Sequence, residues 1–271
     1  MNTSEDLFVA TSGTGPPFVF LHGFALHGGL FAALAAEFAR THRVHVVDLP
    51  GHGYSPDGAR TLPEMVAAVA HTITRIGAPA RVLGWSLGGI VAQRLALDHP
   101  HLVERLVLVC TTPRFVTAPD WPQAMDPATL ARFGEELRTT YRPTLQRFLT
   151  LQVQGADGRA DRAVLATLRA ALFARPPPTA AALVAALAAL TDTDLRPEVA
   201  RIGAPALVVT GSRDALTPAA AGAWLAGQLP QARLAAIAGA AHAPFLSHPA
   251  AFVAAVQGFI ADAHAAAQPH A

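Results

Sequence analysis

The amino-acid sequence predicts an α/β fold: a mostly parallel central sheet with helices on both faces and a helical lid inserted between two strands. Three observations lead there. Short apolar runs alternate with longer helix-like segments along most of the chain, and one stretch, from Pro113 to Asp194, breaks the alternation. A Gly-x-Ser-x-Gly sequence stands between one apolar run and the helix-like segment after it.

The runs are FVFLHG (18–23), RVHVVDLPG (43–51), ARVLGWS (80–86), LVERLVLVC (102–110), APALVVTG (204–211) and ARLAAIAG (232–239). Near-continuous apolar strands are what a parallel sheet covered on both faces requires. Residues 61–77, 87–98, 217–228 and 249–264 have the amphipathic or alanine-rich character expected of the crossovers between them. From Pro113 to Asp194 the pattern is helical, punctuated by APDWPQAMDP and RPPP. A segment inserted there emerges at the carboxyl ends of strands, where open α/β sheets place their ligand crevice. We therefore expect residues 113–195 to form a lid over a core made of 1–112 and 196–271, with the terminal HAAAQPHA a frayed tail.

The net charge of +1 gives no overall field to attract nucleic acid or an anionic membrane, and neither is expected as a partner. The longest apolar run, TAAALVAALAAL (179–190), falls short of the roughly 20 residues that cross a bilayer. MNTSEDLFVATSG lacks the basic start and apolar centre of a secretory signal. Cys110, the single cysteine, ends an apolar run and reads as a buried reduced thiol. There is no His-Glu-x-x-His and no cysteine cluster. The expectation is a cytoplasmic monomer that uses no metal and no cofactor.

Gly84-Trp85-Ser86-Leu87-Gly88 sits between a strand-like run and a helix-like segment. Glycines on either side remove the Cβ atoms that would clash in a sharp strand-to-helix turn, so Ser86 can be held strained with its hydroxyl exposed. The helix starting at Leu87 offers unpaired N–H groups to an oxyanion, and the amide of Phe24, in the loop after the 18–23 run, is the second donor candidate. His22 beside it reads as a loop organiser. A serine hydroxyl needs a histidine base, and that histidine needs a carboxylate, in the chain order Ser, acid, His. Of Asp192, Asp194, Glu198, Asp214 and Asp262, only Asp214 lies just beyond a strong strand. His242 likewise follows a strand, whereas His248, beside Pro249, reads as capping or packing. DLPGHGYS (48–55) reads as a tight turn and not a phosphate loop.

Residues 138–175 carry seven arginines (Arg138, Arg142, Arg147, Arg159, Arg162, Arg169, Arg175) against Asp157 and Asp161. Two readings stand: solvated helix faces, or docking of an anionic partner over the site. Trp85, Phe24, Phe148, Leu149 and Leu151 are expected to wall an apolar pocket suited to an aliphatic chain.

LHGFAL, DLPGHGYS, LGWSLGGIVA, RFLTLQ and AAHAPFLSHP together resemble the pimeloyl-[acyl-carrier protein] methyl ester esterases of biotin synthesis, within the α/β-hydrolase superfamily. The first three are shared widely in the superfamily; the last two are more specific. Generic members often place an acidic residue a few positions after the histidine, where this chain has Ser247 followed by His248-Pro249. The resemblance implies the α/β-hydrolase fold and a Ser86–Asp214–His242 triad, with Phe24 and Leu87 flanking the oxyanion and Phe24 standing where the family commonly has tryptophan. It also implies a substrate channel along Phe148, Leu149, Thr150, Leu151 and Gln152. The implied partner is an acyl-carrier protein bearing a methyl-esterified dicarboxylic acyl chain, met by lid arginines. Arg147 matches its motif position, Arg142 is one residue displaced because Pro143 stands there, and Arg159 and Arg162 match through a gap. Two rivals remain open: a broad short-chain carboxylesterase or lactonase, and a non-catalytic binding protein of the same fold.

Overall fold

The computed structural model of the protein describes residues 6–59, 61–154 and 160–266, the last four of these by backbone alone. Seven strands form one sheet: β1 (Val9–Ser12), β2 (Pro17–Leu21), β3 (Arg43–Val47), β4 (Ala80–Trp85), β5 (Val103–Val109), β6 (Ala206–Gly211) and β7 (Ala232–Ile237). Their spatial order is β1-β3-β2-β4-β5-β6-β7. The six expected runs are all strands and pair in parallel; five end one to four residues sooner than the apolar run, and β6 ends with its run at Gly211. The seventh, β1, lies antiparallel on β3 at the sheet edge. It escapes a reading by hydropathy because it has four residues and buries none of them fully.

Helices α1 (Ala32–Phe38), α2 (Leu62–Ile76), α3 (Leu87–Asp98), α8 (Ala219–Gln228), α9 (Pro244–Ser247) and α10 (Pro249–Ala266) belong to the core. The start of α2 is fixed by its sequence: Thr61 accepts from the Glu64 amide while the Glu64 carboxylate accepts from the Thr61 amide, a reciprocal cap. The inner layer is aromatic where β2 meets α1, with Phe18, Phe20, Phe31 and Phe38 packed edge to face. Among the described residues no helix is long and apolar enough to cross a membrane.

Between β5 and β6 the chain makes four helices, α4 (Pro127–Thr139), α5 (Tyr141–Val153), α6 (Arg162–Leu172) and α7 (Ala180–Asp192). It leaves and re-enters the core side by side: Leu195 N donates to Pro113 O (2.9 Å), and Arg114 pairs with Asp194 (2.6 Å). Hydrogen bonds from Arg196 and Arg114 outweigh the effect of burial and hold the Asp194 carboxyl down at about 2. The far side of the insertion is fastened too. Asp48, just past β3 and fully buried, accepts from Gly28 N, Tyr54 N and, on both oxygens at 2.7 Å, Arg175 Nη1. The Arg175 guanidinium lies 5.1 Å from the ring centres of both Phe8 and Tyr54. Nearby, His27 Nε2 donates to Ala171 O (2.6 Å), a tautomer fixed because Nδ1 accepts from Gly29 N.

Asp48 is therefore the charge on which this fastening depends. Arg175→Met leaves it buried without its cation, and is expected to lower the unfolding free energy by about 3–5 kcal/mol, read as a shift of the urea midpoint.

Candidate active site

The centre of the site is a backbone conformation. At the junction of β4 and α3, Ser86 has φ 55° and ψ −117°, a region that a residue with a Cβ enters only under constraint. The constraint comes from its neighbours. Ser86 N donates to Val109 O, and its carbonyl accepts from Gly89 N and Thr111 Oγ1. A Cβ on Gly84 would meet the backbone of Gly88 and Gly89, and one on Gly88 would meet the Leu21 and His22 carbonyls. The two glycines let strand, turn and helix approach this closely.

The amides of Leu87 and Phe24 have no acceptor among the described residues. Leu87 is the first residue of α3, where N–H groups are unpaired and the helix dipole is positive, so these two donors suit an anion formed beside Ser86. The loop carrying Phe24 is organised by His22, buried and neutral: Nδ1 donates to Gly23 O (2.9 Å) and Nε2 accepts from Leu49 N (2.9 Å). Burial, then the neighbouring His52 ring, pushes His22 down to about 3.

Asp214, past the end of β6, and His242, past the end of β7, meet through Nδ1 and Oδ2 at 2.8 Å, both buried. Leu216 N and Thr217 N donate to Asp214 Oδ1, and Thr217 Oγ1 donates to Oδ2 (2.7 Å). Burial by itself would raise the Asp214 carboxyl; the imidazole and these donors outweigh it and hold the group below its ordinary value. An ionised Asp214 takes the Nδ1 proton of His242 as its hydrogen bond and leaves Nε2 to act as a base. Among the described residues no hydrogen bond joins Ser86 Oγ to His242; such bonds often tighten only with substrate. The sequence marks the place of Thr217 only by a turn signal, an aspartate followed at short range by Thr-Pro.

The other expected site residues fall into distinct places. Trp85 is fully buried against Phe31, Phe245 and the His242 ring, and its Nε1 donates to His242 O (2.7 Å), so it supports the histidine loop. Phe24, Phe148 and Phe133 form a cluster with ring centres 5.1 to 5.8 Å apart. Phe133 joins it from α4, which helical periodicity alone does not single out. Along α5, Phe148, Leu149 and Gln152 are buried, Thr150 is half-buried, and Leu151 is 44% exposed, because five consecutive helical residues point around the whole axis. The Gln152 carbonyl accepts from His242 N (3.1 Å), joining the insertion to the histidine loop. His248 closes α9 and its carbonyl accepts from Phe252 N in α10.

The arginine-rich stretch is less unpaired than its own sequence window suggests. Arg175 is committed to Asp48, while Arg138 and Arg147 pair with Glu135 and Glu136 of α4. Arg142, with its guanidinium over Phe173, and Arg162 at the start of α6 are exposed, as is Arg147; Arg159 lies outside the described residues.

The chain matches a family profile for the alpha/beta hydrolase fold over residues 16–249. It is 45% identical over 248 residues to a protein of Nitrosomonas europaea named pimeloyl-[acyl-carrier protein] methyl ester esterase, covering 91% of this chain and 96% of that one. It is 46% identical over 253 residues to a protein of that name from Chromobacterium violaceum, covering 93% and 96%. In fold it is similar to an esterase from Exiguobacterium antarcticum, with a TM-score of 0.86 at 20% identity over 94% of this chain and 95% of that one.

The His22 arrangement has a pH signature. Folding suppresses its protonation, so the unfolded chain binds more protons between the ordinary value near 6.5 and about 3, and stability falls as pH drops through that window. The expected slope from this group is about 1.4 kcal/mol per pH unit below 6.5, measured from urea midpoints, and His22→Asn should flatten it.

Proposed function

Because the chain belongs to the α/β-hydrolase family, and within it to the pimeloyl-[acyl-carrier protein] methyl ester esterases, we propose that it hydrolyses the methyl ester of pimeloyl-[acyl-carrier protein]. The products are methanol and free pimeloyl-[acyl-carrier protein] for biotin synthesis. The observation that carries this reading is the strained Ser86 beside two unpaired amides, with the Asp214–His242 pair buried past the neighbouring strand ends. Identity of 45% or more to the named esterases across both core and insertion supports the choice of ester.

In this mechanism Ser86 Oγ attacks the ester carbonyl while His242 Nε2 takes its proton. The tetrahedral oxyanion is met by the amides of Phe24 and Leu87, and Asp214 stabilises the imidazolium. The imidazolium then protonates the departing methoxide, which leaves as methanol, and an acyl group remains on Ser86. Water, deprotonated by His242, releases the carboxylate and restores the serine. The Phe24, Phe133 and Phe148 cluster gives the acyl chain an apolar wall next to the reacting carbon.

Residues 113–195 act as the lid, and Arg142, Arg147 and Arg162 give it a positive face for the acidic carrier. The enzyme works as a cytoplasmic monomer, in a compartment whose reducing conditions suit its single buried thiol.

Two measurements test this. Ser86→Ala is expected to lower kcat for methyl-ester cleavage by at least about a thousandfold, with the fold intact by circular dichroism. Reversing Arg142 and Arg147 to Glu is expected to raise KM for the carrier-bound ester relative to a small soluble methyl ester, most at low salt. Equal effects on the two substrates would favour a broad carboxylesterase instead.

A further inference from the structure

Cys110 follows the last residue of β5 in a left-handed conformation, φ 43°, and is fully buried. It stands where the sheet order brings the ends of β5, β6 and β7 together. Its Sγ reaches towards Ala241 O (3.8 Å), and Sγ, a carboxylate oxygen of Asp214 and a ring nitrogen of His242 all lie within 4.8 Å of one another. A soft sulfur, a hard oxygen and an imidazole nitrogen thus converge at the Asp214–His242 pair.

We propose that Cys110, Asp214 and His242 form a capture site for a thiophilic divalent cation such as Zn²⁺ or Cd²⁺, and that occupation switches ester hydrolysis off. The second half rests on the reading of His242 as the base. Tetrahedral zinc holds sulfur at about 2.3 Å and nitrogen or oxygen at about 2.0–2.2 Å, so neighbouring donors stand on the order of 3.5 Å apart. Donors already within 4.8 Å reach that spacing by side-chain adjustment of about an ångström. Thr217 Oγ1, which donates to Asp214 Oδ2 and lies 3.4 Å from His242 Nδ1, is placed to complete the set.

The step balances. The ion forms bonds to Cys110 Sγ, Asp214 Oδ2 and His242 Nδ1; the thiol proton goes to solvent, and the imidazole proton moves from Nδ1 to Nε2. No oxidation occurs. Thiolate and carboxylate together neutralise the divalent charge, so the buried complex carries none, which removes most of the cost of burying an ion. With Nε2 protonated and Nδ1 held by metal, His242 cannot accept the Ser86 proton.

This chemistry differs from ordinary thiol reactivity. Burial, and then the Asp214 charge, push the Cys110 thiol well above its ordinary value, so a neutral alkylating reagent finds little thiolate. A cation brings its own positive charge to the same place and reverses that effect.

The test titrates the full-length protein with Cd²⁺, following the thiolate-to-cadmium charge-transfer absorption and hydrolysis of p-nitrophenyl butyrate in the same samples. Cys110 is the only cysteine in the chain, so the absorption reports on it alone. One equivalent should raise the band and abolish activity in step, and EDTA should restore the starting state. Cys110→Ala should show no band and need about tenfold more Cd²⁺, or beyond, for half-inhibition relative to its own metal-free rate. Cys110→Ser, which keeps the size but not the soft donor, should behave like Cys110→Ala. Absence of the band in the unaltered protein, or equal sensitivity in both variants, overturns the capture site. A full band with the rate unchanged overturns the switch, whereas a His242→Ala variant with the full metal-free rate overturns the reading of His242 as the base on which the switch rests.

Discussion

The left-handed backbone of Ser86 is the constraint on which the rest of the site depends. A strand that enters a helix through one residue has no room for a gradual turn, so strain is concentrated at the serine. Glycines at 84 and 88 take the crowding, Thr111 and Gly89 hold the serine carbonyl, and Val109 holds its amide. The same geometry that exposes Oγ also leaves the Leu87 amide without an acceptor among the described residues, so the proposed nucleophile and one proposed oxyanion donor come from one bend.

Two buried carboxylates, one beside this point and one past β3, sit in sets of donors that satisfy them. Asp214 is ringed by donors from Leu216, Thr217 and His242, and Asp48 by donors from Gly28, Tyr54 and Arg175. The two carboxylates serve different ends. One orients an imidazole, and the other ties the helical insertion to the core through a guanidinium that lies over two touching aromatic rings. A buried charge is tolerable in each case because its partners are complete.

Much of this was legible in the sequence, for reasons that are local. The parallel strands announce themselves by continuous hydropathy; Ser86 ends such a run and Asp214 and His242 stand just beyond one, where a parallel sheet gathers its loops. What stayed hidden depends on contacts distant along the chain. The antiparallel edge strand is short and half-covered, so nothing in its composition distinguishes it from a loop. Arg175 reads as one more surface cation until its pairing with Asp48, 127 residues away, is seen. Phe133 becomes part of the aromatic cluster only through the packing of α4 over the site. Cys110 reads as an inert core thiol because hydropathy says nothing of which strand ends are neighbours. Mixed-charge pairs within α4 and between α4 and α5 also change the arithmetic of the arginine-rich stretch, since Glu135 and Glu136 lie just before it.

The hydrogen bond from the His242 amide to the Gln152 carbonyl bears on how such enzymes diversify. An insertion that merely covered a site could be exchanged as a cassette, one specificity for another, with the chemistry untouched. Here the histidine loop is suspended in part from the insertion's own main chain, and Ala171 and Arg175 bind the cassette again on its other side. A chimera that grafts a foreign insertion onto this core inherits a hanging histidine loop unless the graft supplies a carbonyl at the same place. Insertion and histidine loop in this chain are thus a single inheritable unit, and the range of solutions open to recombination is narrower than the fold's layered plan suggests.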